Sequence, residues 1–445
     1  MKGIFLSLIL ALATFFIAGF AFNSQHSTLL AIIVFLVTLW TNEALPLGVV
    51  SLLPILLFPS LDIISTNATV SNYSKSIIFL FLGGFMLAIA TQKTNLHKYI
   101  SSKLLTLFPN TPRGVLFSLA ITSAFLSSLI SNTTTALLLI PIAMFLTDEI
   151  KLKMRLVLAI AYGASIGGIV TPIGTPPNLI LLGFMESNAI EAIPFVKWIV
   201  LTAPLALAML LVIPFILSLG VQNMKFDVGI NETDRKLTGE QRRLMYILFS
   251  LVVLLLINSK IEPYYSGLGL NEKGILLGYG LLMFLPKIGF LTWDDTKKIP
   301  YEIIFLFGAG FSIAAAFSST GLAKEVATYL LALTDLPIVL LIILVASLIT
   351  FTTEITSNTA LISIALPIIY SLNQVANIDI TLILFVTTIC ASYAFMLPIA
   401  TPPNAIAMSS GAVKVKDMAR YGIFFNLIGI VFITTIALVY WQYFL

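Results

Sequence analysis

Thr171-Pro172-Ile173-Gly174-Thr175-Pro176-Pro177-Asn178 sits in the middle of an apolar stretch, and the chain carries it again as Leu397-Pro398-Ile399-Ala400-Thr401-Pro402-Pro403-Asn404. Proline removes an amide donor and its ring clashes with a continuing helix, so each octet predicts a helix that stops and restarts inside an apolar span. The second copy stands 226 positions after the first. Outward from the octets, the same spacing separates Ser131-Asn132-Thr133 from Ser357-Asn358-Thr359 and Pro141 from Pro367. It also separates Gly84-Phe85 from Gly310-Phe311, and the pentad beginning at Ile77 from that beginning at Ile303. Apolar segments resemble one another by composition alone; polar triplets and Pro-Pro pairs coinciding at one spacing mark an internal duplication.

The solvent of this duplicated chain is lipid. Only 10% of its 445 residues are charged and 59% are hydrophobic, with a mean hydropathy of +1.04. A soluble globular protein carries about 25% charged residues. A soluble enzyme, a nucleic-acid binder and a disordered scaffold are excluded, because each needs a polar exterior this chain cannot supply. Cys390 stands alone, and His26 and His97 are the only imidazoles. No disulfide framework is possible, and ligands for zinc or haem are too few. The fold class is therefore an all-α polytopic membrane protein.

Apolar runs give spans over 3–22, 27–41, 45–59, 76–92, 156–185, 195–219, 244–258, 274–290, 302–319, 380–410 and 421–444. The first run could be read as a signal peptide, but its length is that of a full span. That makes about 11 transmembrane helices. Two further stretches, 114–146 and 336–372, are interrupted near the middle by Ser, Asn and Thr, and read as re-entrant hairpins. With the hairpins not crossing and the N-terminus cytoplasmic, 19 of the 24 Lys and Arg fall inside. Only Lys75, Lys197, Lys260, Lys273 and Lys324 stay outside. This obeys the positive-inside rule and puts the C-terminus outside; the expected membrane is the inner (plasma) membrane of a bacterium.

The organisation follows. Residues 1–26 hold a first helix outside the duplication. Repeat 1 covers 27–221 with a cytoplasmic-side hairpin, 222–243 is a cytoplasmic linker, and repeat 2 covers 244–445 with an outside hairpin. Five crossings per repeat force the second copy upside down. Such inverted-topology repeats are common in secondary transporters, whose sites lie near the midplane where broken helices meet.

Irregular backbone at membrane depth must line protein or a water-filled cavity. A break leaves carbonyls at the end of one half-helix, suited to a hard cation, and amides at the start of the next, suited to an anion. Ser127 and Thr353 stand one turn before Ser131 and Ser357, so an oxygen-only cage forms in each repeat. Oxygens without carboxylates favour a monovalent hard ion such as sodium. The plainer alternative, that these residues only cap and kink helices, would suffice for one break but less well for two pairs at one spacing. The Gly83-Gly84 and Gly308, Gly310 clusters read as close helix contacts. Glu354 has Ser128 as its counterpart; it is either a proton-coupling carboxylate or a brace on backbone amides. Glu43 reads as structural. Lys93, His97, Lys98 and Lys103 suggest an amphipathic helix on the cytoplasmic surface. No Arg or Lys falls inside a break.

The paired Ser-Asn-Thr triplets, each followed some 40 residues later by Thr-Pro-Pro-Asn, resemble the divalent anion to sodium symporter family of INDY-type dicarboxylate transporters. The likeness extends to Thr41-Asn42-Glu43-Ala44-Leu45-Pro46 and to Thr353-Glu354-Ile355-Thr356-Ser357-Asn358-Thr359. It implies an elevator-type homodimer. It also implies sodium sites on Ser127, Ser131, Asn132 and Gly174 in one repeat and on Thr353, Ser357, Asn358 and Ala400 in the other. Gly174 and Ala400 would give backbone oxygens. The implied dicarboxylate-binding residues are Asn132, Thr133, Asn358, Thr359, Thr401 and Pro402, and Glu354 moves toward a structural role.

The expected function is sodium-coupled symport of C4 dicarboxylates such as succinate, malate and fumarate by alternating access, with at least two sodium ions. A sodium-independent dicarboxylate exchanger and a sodium-coupled sulfate or citrate symporter are the alternatives on the same fold. A channel is disfavoured by the inverted repeat with opposed hairpins, and an intramembrane enzyme by the lack of a nucleophile and base. The expected partners are the small dianion, sodium and membrane lipid, with no nucleic acid.

Overall fold

The computed structural model describes residues 2–42, 44–105, 108–222, 224, 236–260, 264–329, 336–373 and 380–445. Glu43 and most of the 222–243 linker lie outside them. The described residues form helices and no strand. The first half of the chain holds α1 (Lys2–Ala18), ahead of the duplicated part, then α2 (Ser24–Asn42), α3 (Leu47–Ser60), α4 (Thr66–Ser71), α5 (Ser76–Lys93), α6 (Leu96–Leu105), α7 (Pro112–Ser127), α8 (Asn132–Phe145), α9 (Ile150–Val170), α10 (Pro176–Ser187) and α11 (Phe195–Ser218). The second holds α12 (Gly239–Asn258), α13 (Glu272–Leu282), α14 (Tyr301–Thr320), α15 (Leu322–Tyr329), α16 (Ile338–Thr353), α17 (Asn358–Asn373), α18 (Ile380–Ala391), α19 (Pro402–Ser409) and α20 (Val415–Ile436).

Six described helices are long and apolar enough to cross a bilayer: Ser24–Asn42, Thr66–Lys93, Ile150–Val170, Phe195–Ser218, Tyr301–Thr320 and Val415–Phe444. The helices on either side of the two Ser-Asn-Thr triplets are arms of 16 and 14 residues, and of 16 and 16. At 1.5 Å per residue these arms reach about 21–24 Å, short of a hydrocarbon core of about 30 Å. The span expected over 274–290 is helical only over Glu272–Leu282. Pro286 and the left-handed Lys287 (φ 67°) follow, and the chain leaves that helix through turns.

Helix starts follow local chemistry. Thr111 caps α7 by accepting from the Gly114 amide (3.1 Å), with Pro112 at the first helical position. Thr238 and Gln241 form a reciprocal capping box on α12 (3.1 and 3.2 Å). Asn42 anchors α1 to α2 by donating to the Gly3 carbonyl and Ser7 Oγ, both at 3.1 Å.

Small residues set the close packing that positions the helices around the triplets. A Cβ on Gly163 would lie 2.5 Å from the Ala120 carbonyl oxygen, and one on Gly167 2.6 Å from the Ala124 carbonyl carbon. Two glycines one turn apart thus let α9 press on the backbone of α7, bolting the helix before the first Ser-Asn-Thr triplet to the first broken span. Gly83 and Gly280 bring α5 and α13 together in the same way, and Gly308 and Gly310 lie against Tyr73 and Ser363. The helix expected over Lys93–Lys103 is split, with Lys93 ending α5, Asn95 left-handed and α6 starting at Leu96; His97 is buried, with Nδ1 3.0 Å from the Thr91 carbonyl.

Candidate functional site

Both octets are breaks, and the same side chain staples each. Asn178 Nδ2 donates to the carbonyls of Gly168 (3.1 Å) and Thr171 (2.9 Å). Asn404 Nδ2 donates to those of Ala394 (3.0 Å) and Leu397 (3.1 Å), the residues 226 positions on. The Gly174 amide donates to the Thr171 carbonyl at 3.2 Å, and the Ala400 amide to the Leu397 carbonyl at 3.3 Å. A helix that ends leaves carbonyls without partners. The last residue of each octet satisfies two of them, which fixes the loop shape from beyond the prolines. Both asparagines are fully buried, and neither Oδ1 has a hydrogen-bond partner in the structure. The duplication is therefore one of hydrogen-bond scheme as well as sequence.

In the first copy, Ser127, Ser131, Asn132 and Gly174 come together. Ser131 caps α8, its Oγ accepting from the Thr134 amide (3.2 Å) and lying 2.8 Å from Thr134 Oγ1. Ser127 Oγ donates to Asn132 Oδ1. Asn132 rests on Gly168, where an added Cβ would stand 2.8 Å from Oδ1, and one on Gly174 would stand 2.5 Å from the Gly168 carbonyl oxygen. Ser131 and Gly174 share a cavity of about 50 Å³ with Phe81 and Phe85 of α5. Thr133 is half-buried on the first turn of α8.

The second copy has the same plan with different ties. Thr353 Oγ1 donates to the Ala391 carbonyl (2.9 Å), and Thr359 Oγ1 to Asn358 Oδ1 (3.2 Å). Ser357 precedes α17, its carbonyl accepting from the Leu361 amide at 2.9 Å. Thr401 caps α19 through the Asn404 amide (3.4 Å), Pro402 is exposed at the first helical position, and Ala400 is buried.

Glu354 resolves into a clamp. One carboxylate oxygen accepts from the Phe395 amide (2.7 Å), the Met396 amide (2.9 Å) and Asn426 Nδ2 (2.7 Å), and the other from the Leu397 amide (2.9 Å). Three consecutive amides of the second break thus point at one buried carboxylate, the brace the sequence offered as one of two readings. In the first copy the same pair of positions is tied differently, Thr171 Oγ1 donating to the Ser128 carbonyl (2.7 Å). Leucine at 397 has no hydroxyl to give, and the acid at 354 makes the tie instead. Asn426 belongs to none of the sequence motifs. Its only signal was an asparagine in an apolar helix.

Packing crosses the repeats. The half-helix after the second break, α19, lies along α8, and that after the first break, α10, lies along α17. Tyr162 of α9 donates to the Met418 carbonyl of α20 at 3.3 Å, and its ring meets Phe395 and Phe425 edge-on. Among the described residues no group of three His, Cys, Asp or Glu could hold a metal. Apart from the Glu354 carboxylate at the second break, the polar groups at both breaks are hydroxyls, carboxamides and backbone.

A family model described as a citrate transporter matches residues 33–390. The sodium-dependent dicarboxylate transporter SdcS of Staphylococcus saprophyticus is 32% identical over 438 residues, covering 92% of this chain and 84% of that one. The protein of the same name from Staphylococcus aureus is 31% identical over 435 residues, covering 91% and 84%. The chain belongs to the divalent anion to sodium symporter family. It is an integral membrane transporter and not an enzyme. Among solved structures, the family member superposes on the YdaH transporter of Alcanivorax borkumensis with a TM-score of 0.62, at 15% identity over 95% of this chain and 99% of that one. It superposes on MtrF of Neisseria gonorrhoeae, titled as illuminating a class of antimetabolite efflux pumps, with a TM-score of 0.62 at 13% identity over 94% and 95%. At those identities the likeness is one of fold.

Proposed function

We propose that this family member is a sodium-coupled symporter of C4 dicarboxylates such as succinate, malate and fumarate. The observation that carries the reading is the pair of stapled breaks, related by 226 positions, each packed through its second half-helix against the hairpin arm of the other repeat. Helices α8, α10, α17 and α19 all start at a Ser-Asn-Thr triplet or a Thr-Pro-Pro-Asn break. Their amide ends offer positive partial charge to a dianion where no Lys or Arg is available. Ser127, Ser131, Asn132 and Gly174, and Thr353, Ser357, Asn358 and Ala400, hold one sodium ion each. Asn132, Thr133, Asn358, Thr359, Thr401 and Pro402 hold the carboxylates. The names of the two staphylococcal relatives support both the cation and the anion class.

In this reading the two repeats are inverted in topology, with the N-terminus cytoplasmic and the C-terminus outside the inner membrane of a bacterium. Access alternates by elevator movement of the hairpins and broken helices within a homodimer. The test is uptake of labelled succinate into proteoliposomes under an inward sodium gradient, against an equal potassium gradient with no internal substrate. Accumulation with sodium alone is expected. Uptake that needs preloaded succinate and ignores sodium would overturn symport in favour of exchange.

A further inference from the structure

A second polar cavity lies away from both breaks. It has a volume of about 350 Å³ and opens between α10 and α17 on one side and α14, α15 and the start of α5 on the other. Its lining includes Lys75, Lys324, Ser187, Ser318 and Tyr370, and no carboxylate. α14 contributes Ala314, Ala315, Ser318 and Ser319, one face of small residues at helical spacing, so the space is not filled by side chains. Lys75 is held at the wall, donating to Ser187 Oγ at 2.5 Å with its ammonium 4.7 Å from the centre of the Phe311 ring. Lys324 is exposed at the rim and makes no ion pair among the described residues.

The neighbouring acids are already occupied. Glu186 Oε1 accepts from Ser76 Oγ and Lys273 Nζ, both at 2.6 Å. Glu325 lies 2.5 Å from His26 Nδ1, while His26 Nε2 is 2.8 Å from the Thr320 carbonyl. The lining therefore presents two amino groups and several hydroxyls and no carboxylate, with Glu186 beside Lys75 but already held by Lys273 and Ser76, on the side where the charge distribution places the outside.

We propose that this cavity is an outer collecting site for the dicarboxylate dianion, occupied before the substrate reaches the breaks. The inference rests on the dianion reading of the previous section and adds to it a place and two residues. The breaks attract through amide dipoles, whose reach is one helical turn, and hold no cation to act at a distance. A low-dielectric cleft lined by one sign of charge raises local counter-ion concentration and on-rates by about 10- to 1,000-fold, and loses that gain as salt rises. Lys75 and Lys324 supply this long-range attraction; the hydroxyls receive the carboxylates without fixing them.

The experiment compares wild type with Lys75→Gln/Lys324→Gln in sodium-driven succinate uptake at about 0.02 M and about 0.3 M ionic strength, set with choline chloride. The expected result is a KM raised roughly tenfold at low salt, converging on wild type at high salt, with Vmax unchanged and the effect confined to one face of the membrane. An unchanged KM and salt slope would overturn the proposal. So would a fall in Vmax alone, which would make Lys75 only a brace on Ser187. A second measurement does not depend on coupled transport. Ser318→Cys places a thiol on the cavity wall, and the native Cys390 is buried. An anionic methanethiosulfonate should label Cys at 318 faster than a cationic one, succinate should protect it, and the lysine substitutions should abolish the preference. Equal labelling by both reagents would refute the collecting site even if sodium-driven uptake is normal. Absence of uptake with the labelling preference intact would instead count against the symport reading.

Discussion

Glu354→Gln is the most informative single change. The carboxylate accepts four hydrogen bonds of 2.7–2.9 Å while 3% exposed. A glutamine has one acceptor oxygen. Turned toward Phe395, Met396 and Asn426, it leaves its NH2 facing the Leu397 amide, donor against donor. Bonds to charged groups contribute about 1.5–3 kcal/mol and neutral ones about 0.5–1.5, so three weakened bonds lose about 1 kcal/mol each. The unpaired Leu397 amide costs about 1–3 kcal/mol more. Local relaxation recovers part, leaving about 3 kcal/mol, or roughly a hundredfold in an equilibrium constant. Because the clamp orders the break that carries Ala400, the loss should appear as a weaker apparent sodium affinity, read from sodium titrations of succinate uptake. Thermal unfolding in detergent with and without sodium gives the accompanying stability. Thr171→Val, which removes one neutral bond at the equivalent tie, should cost only about 1 kcal/mol. Wild-type stability and sodium dependence in Glu354→Gln would refute the clamp. Normal stability with an altered pH profile of transport would restore proton coupling.

Three further outcomes are expected. Asn132→Ala and Asn358→Ala should each abolish sodium-driven uptake at normal expression, and normal uptake by both would remove these residues from the site. Gly167→Ala should destabilise the protein by about 2 kcal/mol or more, because the new methyl meets Ala124 backbone that cannot rotate away; a melting shift within error of wild type would contradict this. Asp295 accepts from Lys93 Nζ (2.5 Å) and the Thr292 amide (2.9 Å), which hold its carboxyl well below the usual range. Its stabilisation is present above the unfolded pKa of about 3.9 and fades as pH falls through the lower folded value. Asp295→Asn should therefore lower stability by about 1–2 kcal/mol at pH 7, and the gap in melting temperature should narrow below about pH 4; a gap independent of pH would refute the assignment.

Much of the plan was legible in the chain because membranes penalise disorder in sequence patterns. Lipid offers no hydrogen bonds, so every residue that breaks a helix at depth must be matched by one that repairs it. That rule makes Pro176-Pro177 and Pro402-Pro403 visible as breaks, and makes the polar triplets visible as the ends of α8 and α17. It also makes the 226-residue spacing hard to mistake, since each repair must recur with its break.

The sequence by itself determined the solvent, the duplication, the two broken helices and the residues that start the four half-helices, all of which depend on local backbone chemistry. Tertiary structure alone decided what those residues touch. Asn178 and Asn404 became staples because their amides reach carbonyls seven and ten positions back across the prolines. Glu354 found its partners 41–43 and 72 positions away, a distance no local pattern encodes. Lys75 and Lys324, 249 positions apart, share one cavity only because α10 and α17 pack beside α14. Contacts between elements depend on how helices pack, and that is set by the small residues on many faces at once and by no single motif.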